Sequence, residues 1–101
     1  MITITYGSRE PPSISIKGHS GYSTEGTDIV CAAVSVLFQT LIDSLNEYTN
    51  DFVSARIEPG DSAIIWRGLT SARGRLLLES ALLGMKGVAE AYPEHVEFKI
   101  E

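Results

Sequence analysis

The sequence has one cysteine, Cys31, so no disulfide forms within the chain and the fold rests on a packed core. A lone cysteine also fits a reducing compartment. Basic residues are scarce, eight Lys and Arg against thirteen Asp and Glu. The resulting net charge of −5 argues against a surface built for phosphate backbones, and no direct nucleic-acid binding is expected. Long apolar runs are missing: the most apolar stretch is interrupted by Ser35, Gln39 and Asp43, so no membrane span is expected. The opening residues, MITITYGSREPP, lack the basic and apolar segments of a secretory signal, and a cytoplasmic location is expected. There is no internal repeat, linker or low-complexity tract. A length of 101 residues suits one core, so residues 1–101 are expected to form a single domain. Nothing calls for a metal or a cofactor.

What is present is an apolar fraction of 44%, ordinary for a globular protein, arranged with clear periodicity. Ile2, Ile4 and Tyr6 alternate with threonines, and Ile14 and Ile16 alternate with polar residues after the Pro11-Pro12 turn. Period two predicts a hairpin of two half-buried strands. Residues 18–27 carry Gly18, Gly21 and Gly26 with no periodicity and read as a loop. Thr27 or Asp28 can cap a helix over about residues 29–47. That helix is apolar nearly all round in its first two turns, which predicts a central, enclosed position, partly against another subunit.

Residues 52–58 and 63–67 read as two strands joined at Pro59-Gly60-Asp61, with Trp66 and Ile64 well packed. Ser71 caps a second helix that Pro93 ends, with Leu76, Leu77, Leu82, Leu83, Met85 and Val88 as its expected buried side. Gly84 and Gly87 interrupt it, which suggests close approach of another element. A final strand follows over residues 95–100, with His95 expected on its surface. The order β-β-α-β-β-α-β predicts an α+β fold, a mainly antiparallel sheet of about five strands with two helices packed against it.

The chemistry concentrates around Cys31. It falls in the first helical turn if Asp28 is the cap, where unpaired amides and the positive end of the helix dipole favour a thiolate. Those amides are also suited to an oxyanion. His19 lies twelve residues earlier, where the second strand ends. A nucleophile and a base on either side of a loop are one reading. A small buried hydrophobic cysteine beside a solvated loop histidine is the other, and spacing alone leaves both open. Asp28 caps the helix or also orients His19. Ser35, one turn on, faces the site or bonds back to the helix.

The segments GHSGY, over residues 18–22, and DIVCAAVS, over residues 28–35, resemble the paired signatures of the ribosomal-processing cysteine proteases, the Prp family. The closing stretch LLLESALLGMKGVAEAYPEHVEFKI is similar to that family's last helix and strand. Ser20 stands where Ala is usual, a small-for-small change. Residues 51–67 match weakly, as for a region that fills the sheet. The resemblance implies a small α+β homodimer that removes a basic N-terminal extension from a large-subunit ribosomal protein, the one numbered twenty-seven. It implies Cys31 as nucleophile and His19 as base, with Asp28 and Ser35 supporting. Gly18, Ser20, Gly21, Tyr22 and Gly26 would form the substrate loop, with Tyr22 lining the cleft. The alternative is a non-catalytic, ribosome-associated binding module of the same fold. A thiol redox sensor is the weaker third reading, since no second cysteine is present to resolve a sulfenic acid.

Overall fold

Alternation of isoleucine with short polar residues builds the centre of the sheet. In the computed structural model, which describes residues 1–24 and 28–101, β1 (Ile2–Gly7) pairs antiparallel with β2 (Ser13–Lys17). The expectations for Gly26 and Thr27 lie outside the described residues. The chain continues through α1 (Ile29–Tyr48), β3 (Val53–Glu58), β4 (Asp61–Trp66), α2 (Ala72–Ala91) and β5 (Val96–Ile100). The strands stand in the order β3-β4-β2-β1-β5. Every pairing is antiparallel except β1 with β5, which α2 makes possible by crossing back along the sheet. The fold is α+β, with a mostly antiparallel sheet and two helices.

Register puts the apolar set on one face. Ile4 lies opposite Ile16 and Phe98, and Ile14 lies opposite Ile64. Ile2, Ile4, Ile14, Ile64, Trp66 and Val96 are all buried against the helices. A one-residue slip would turn Thr3, Thr5, Ser13 and Ser15 into that core, so hydrophobic burial itself sets the register.

The α1 core stripe is Val30, Val34, Phe38, Leu41 and Leu45, spaced three or four residues apart. Within one chain α1 is enclosed only in part: Ile29 and Val36 are 55% and 63% exposed. The sheet covers one side of α1 and α2 flanks it, which leaves the remaining side open within one chain. By length and composition alone α1 would cross a membrane, but its buried stripe belongs to the core.

The phase of α2 also differs from expectation. Gly74, Leu78, Ala81, Leu82 and Met85 are buried, whereas Leu76 and Leu83 are 69% and 74% exposed. In a leucine-rich helix composition leaves the phase open, and packing against α1 chooses it. Gly84 does meet a neighbour, since a Cβ there would lie 2.8 Å from a methyl of Leu37. Gly87 meets nothing within 4 Å.

Candidate active site

Four pieces of chain converge where β2 ends and α1 begins. After Lys17 the backbone must leave β2 sharply, and Gly18 does so at φ +94°, a left-handed conformation open to glycine. Its lack of a side chain is also required by space, because a Cβ would lie 2.2 Å from the Met1 carbonyl oxygen. The Gly18 amide donates to the Gly60 carbonyl at 2.9 Å and ties this bend to the β3–β4 turn. The Met1 nitrogen donates to the His19 carbonyl oxygen. The His19 imidazole then lies against Gly60, where a Cβ would come within 2.7 Å of Nε2.

Asp28 is the N-cap of α1. Its Oδ1 accepts from the Val30 and Cys31 amides, both at 2.9 Å. Its Oδ2 accepts from the Ser20 hydroxyl and from the Ser23 amide at 3.4 Å. These bonds, led by Ser20 and then the Cys31 amide, hold the Asp28 carboxyl down at about 2. Among the described residues, no hydrogen bond joins Asp28 to His19, so the carboxylate caps the helix and leaves the imidazole unoriented by it. The cap also changes the expected oxyanion site. The Val30 and Cys31 amides are already given to Asp28, and the Ala32 amide goes to the Asp28 carbonyl at 3.0 Å.

Cys31 stands three residues past the cap, half-buried, with one side against the core. Its other side faces an open cleft of about 640 Å³. The same cleft is lined by Gly18, His19, Gly21, Asp28 and Ser35. Cys31 is thus both a partial core residue and an accessible thiol. The Ser35 hydroxyl makes no bond back into the helix among the described residues and is available to the cleft. A smaller hollow of about 300 Å³ continues along α1 past Val34 and Ser35 to Phe38 and Gln39.

Two members of the expected substrate loop are placed elsewhere. Ser20 is buried, with only 2% exposed, and its hydroxyl belongs to Asp28. Tyr22 is not on the cleft wall; its ring packs edge-on against Tyr92, at 5.5 Å, and His95, at 5.3 Å. His95 itself is half-buried in the turn before β5 and not on an open strand surface, because its Nδ1 meets the Ser20 carbonyl at 2.9 Å.

Sequence reasoning missed the far wall. Ile57, Glu58, Pro59, Gly60 and Asp61, from the region expected only to fill the sheet, line the cleft opposite Cys31. Their turn was legible, but its place beside His19 depends on Lys17 pairing with Asp61 across β2 and β4. Asp61 is engaged by Arg56 at 2.9 Å and Lys17 at 3.8 Å, and the Arg56 hydrogen bond leads in lowering its carboxyl. Glu58, exposed on the cleft rim, makes no ion pair among the described residues, though its charge acts on Arg56.

No curated protein matches the chain. Several solved structures do. The essential ribosomal processing protease Prp from S. aureus, in complex with a covalently linked product peptide, superposes with a TM-score of 0.93 at 20% identity, each chain covered fully. The same protease in complex with a substrate peptide gives 0.87 at 19% identity, again over 100% of both chains. SMU.848 from Streptococcus mutans gives 0.80 at 34% identity, covering 99% of this chain and 93% of that one. The S. aureus likenesses establish the fold. The family model for cysteine protease Prp matches residues 1–97, and the chain belongs to that family.

Proposed function

We propose that the protein is a cysteine endopeptidase that removes an N-terminal extension from a large-subunit ribosomal protein, the one numbered twenty-seven. The observation that carries this reading is the cleft in which Cys31 and His19, from α1 and the end of β2, stand together with Ser35. Family membership and the peptide complexes of the S. aureus protease support it.

His19 takes the proton of the Cys31 thiol, and the sulfur attacks the scissile carbonyl carbon. The carbonyl oxygen becomes an oxyanion. With the Val30 and Cys31 amides committed to the cap, the Ser35 hydroxyl is the donor for it on the cleft wall. The C–N bond breaks as the His19 imidazolium gives its proton to the leaving amine, and a thioester remains on Cys31. His19 then draws a proton from water, and the hydroxide adds to the thioester. Collapse breaks the C–S bond as the His19 imidazolium returns its proton to the sulfur, which frees the thiol and the new carboxylic acid, ionised in water. Gly18 and Gly21 shape the loop that admits the peptide, and Asp28 holds the helix end in register with it.

Charge suits a basic substrate. Glu58 and the partly neutralised Asp61 sit on the cleft rim of a chain with net charge −5. That attraction is weak and salt-sensitive. The whole of residues 1–101 acts as one catalytic domain in the cytoplasm. The exposed apolar side of α1, with Ile29 and Val36, is where a second copy would pack to form a homodimer.

The deciding experiment is incubation of the extended ribosomal protein with the wild type and with Cys31→Ala. The wild type releases the extension and passes through a thioester visible by mass spectrometry, and Cys31→Ala does neither while keeping its melting temperature. Cleavage by Cys31→Ala would overturn the proposal. Binding without cleavage by both proteins would favour the binding module.

A further inference from the structure

The reaction uses His19 and leaves the other histidine without a role, yet that histidine is built into the site. His95 sits at the turn between α2 and β5, and its Nδ1 lies 2.9 Å from the carbonyl oxygen of Ser20. A carbonyl oxygen only accepts, so Nδ1 carries the proton in this contact. Tyr22 braces the imidazole edge-on, with an interplanar angle of 80°, and Tyr92 braces Tyr22 in turn at 83°. The side chain of Ser20 donates to Asp28 at the start of α1. Residue 20 is therefore held by the α2–β5 turn and by the start of α1. It directly follows His19, whose carbonyl is held by Met1 and whose ring rests on Gly60.

We infer that His95 is a positioning residue: its Nδ1–H fixes the Ser20–Gly21 peptide unit, one beyond the unit that follows His19, and so fixes the imidazole of His19 relative to Cys31. The inference rests on the reading of His19 and Cys31 as base and nucleophile. His95 does not line the cleft, so its influence passes through the backbone of Ser20.

Two substitutions separate positioning from simple packing. His95→Phe keeps a ring against Tyr22 but removes the donor. His95→Asn places an amide donor near the former Nδ1. With a peptide spanning the cleavage site, His95→Phe is expected to lower kcat about ten- to a hundred-fold, with KM within about two-fold, as for a displaced catalytic group. His95→Asn is expected to recover kcat to within about three-fold of the wild type. Alkylation of Cys31 by iodoacetamide at neutral pH, with His19→Ala as the floor, should slow in His95→Phe and recover in His95→Asn. That second readout needs no proteolysis, so a failure of the protease reading leaves it intact.

The chain has two histidines, so long-range proton–nitrogen NMR assigns both tautomers directly. His95 should carry its proton on Nδ1 when neutral. An Nε2–H tautomer would overturn the inference. So would unchanged kcat and alkylation in His95→Phe, or losses that follow melting temperature and are not recovered by Asn.

Discussion

The two helices begin with the same device and put it to different ends. At α1 the cap is Asp28, whose second oxygen is taken up by Ser20 and Ser23. At α2 the cap is Ser71, which accepts from the Gly74 amide at 2.9 Å. There a second carboxylate, Asp51, arrives from the α1–β3 connection and accepts from the Ser71 amide at 3.2 Å and the Trp66 indole at 3.0 Å. Burial raises the Asp51 carboxyl, but the Trp66 and Ser71 hydrogen bonds outweigh it and leave the group lowered. Both ends thus place a carboxylate against free amides, as the helix dipole favours.

The surroundings of the two caps differ. Beyond Asp28 come a half-buried thiol and a cleft, with a histidine delivered from the end of β2. Beyond Ser71 comes Gly74, pressed so closely under Asp51 that a Cβ would lie 1.9 Å from its Oδ2. One helix end has room for a substrate and the other has none. Capping chemistry alone therefore does not make a site; space and a second element do.

The largest expected effect tests that division at the thiol. Cys31→Ala should remove all cleavage and barely move stability, because the thiol is only partly in the core. At the other end the pattern should invert. Gly74→Ala forces a methyl into the Asp51 carboxylate and should cost about 1–3 kcal/mol of stability by denaturant titration, with kcat unchanged. Asp51→Ala leaves the buried Trp66 indole N–H unpaired and should cost about 1–3 kcal/mol, again without loss of kcat. Trp66 is the chain's one tryptophan, so its fluorescence follows both transitions directly. A large fall in kcat in either α2 variant would erase the contrast between the two ends.

Acid sharpens the comparison next. The Asp28 carboxyl lies at about 2 in the folded chain against an ordinary 3.8. A group lowered on folding stabilises the native state above its unfolded value and ceases to do so as pH falls through the folded one. Stability should therefore decline as pH drops from about 3.8 toward 2, with Asp51 and Asp61 contributing in the same direction. Ser20→Ala removes the leading cause of the Asp28 shift and should narrow this acid-dependent loss. Circular dichroism from pH 7 downward compares the two, and identical profiles would sever Ser20 from the cap. The smallest effect is a control on α2 away from its cap. Gly87→Ala, facing open space, should raise stability by about 0.5–1 kcal/mol through helix propensity alone.

Much of this architecture is legible in the chain itself. Each strand and helix lies within a residue or two of its pattern, because period two and period 3.6 are local properties. A cap at Thr27 or Asp28 is readable for the same reason, since a side-chain oxygen at that point reaches its own next amides, and the structure has it at Asp28. Local signals mislead where they are degenerate. Leu76 and Leu83 look like core in a leucine-rich helix, as Leu82 does, and only the position of α1 decides that Leu78 and Leu82 are inside while the other two are exposed. The far wall of the cleft went unread because residues 57–61 reach the site through strand pairing and not through sequence proximity to His19.

The sequence by itself determined the element order, the apolar face of the central strands, Thr27 or Asp28 as the cap of α1, and the two side chains able to do chemistry. These follow from side-chain spacing, burial preference and the functional groups available. Tertiary structure alone decided that the β3–β4 turn supports His19, that Ser20 faces Asp28 and not the substrate, and that His95 holds the backbone between them. Those contacts join residues up to seventy-five positions apart. Only the packing of the sheet against its helices brings such residues within hydrogen-bond range.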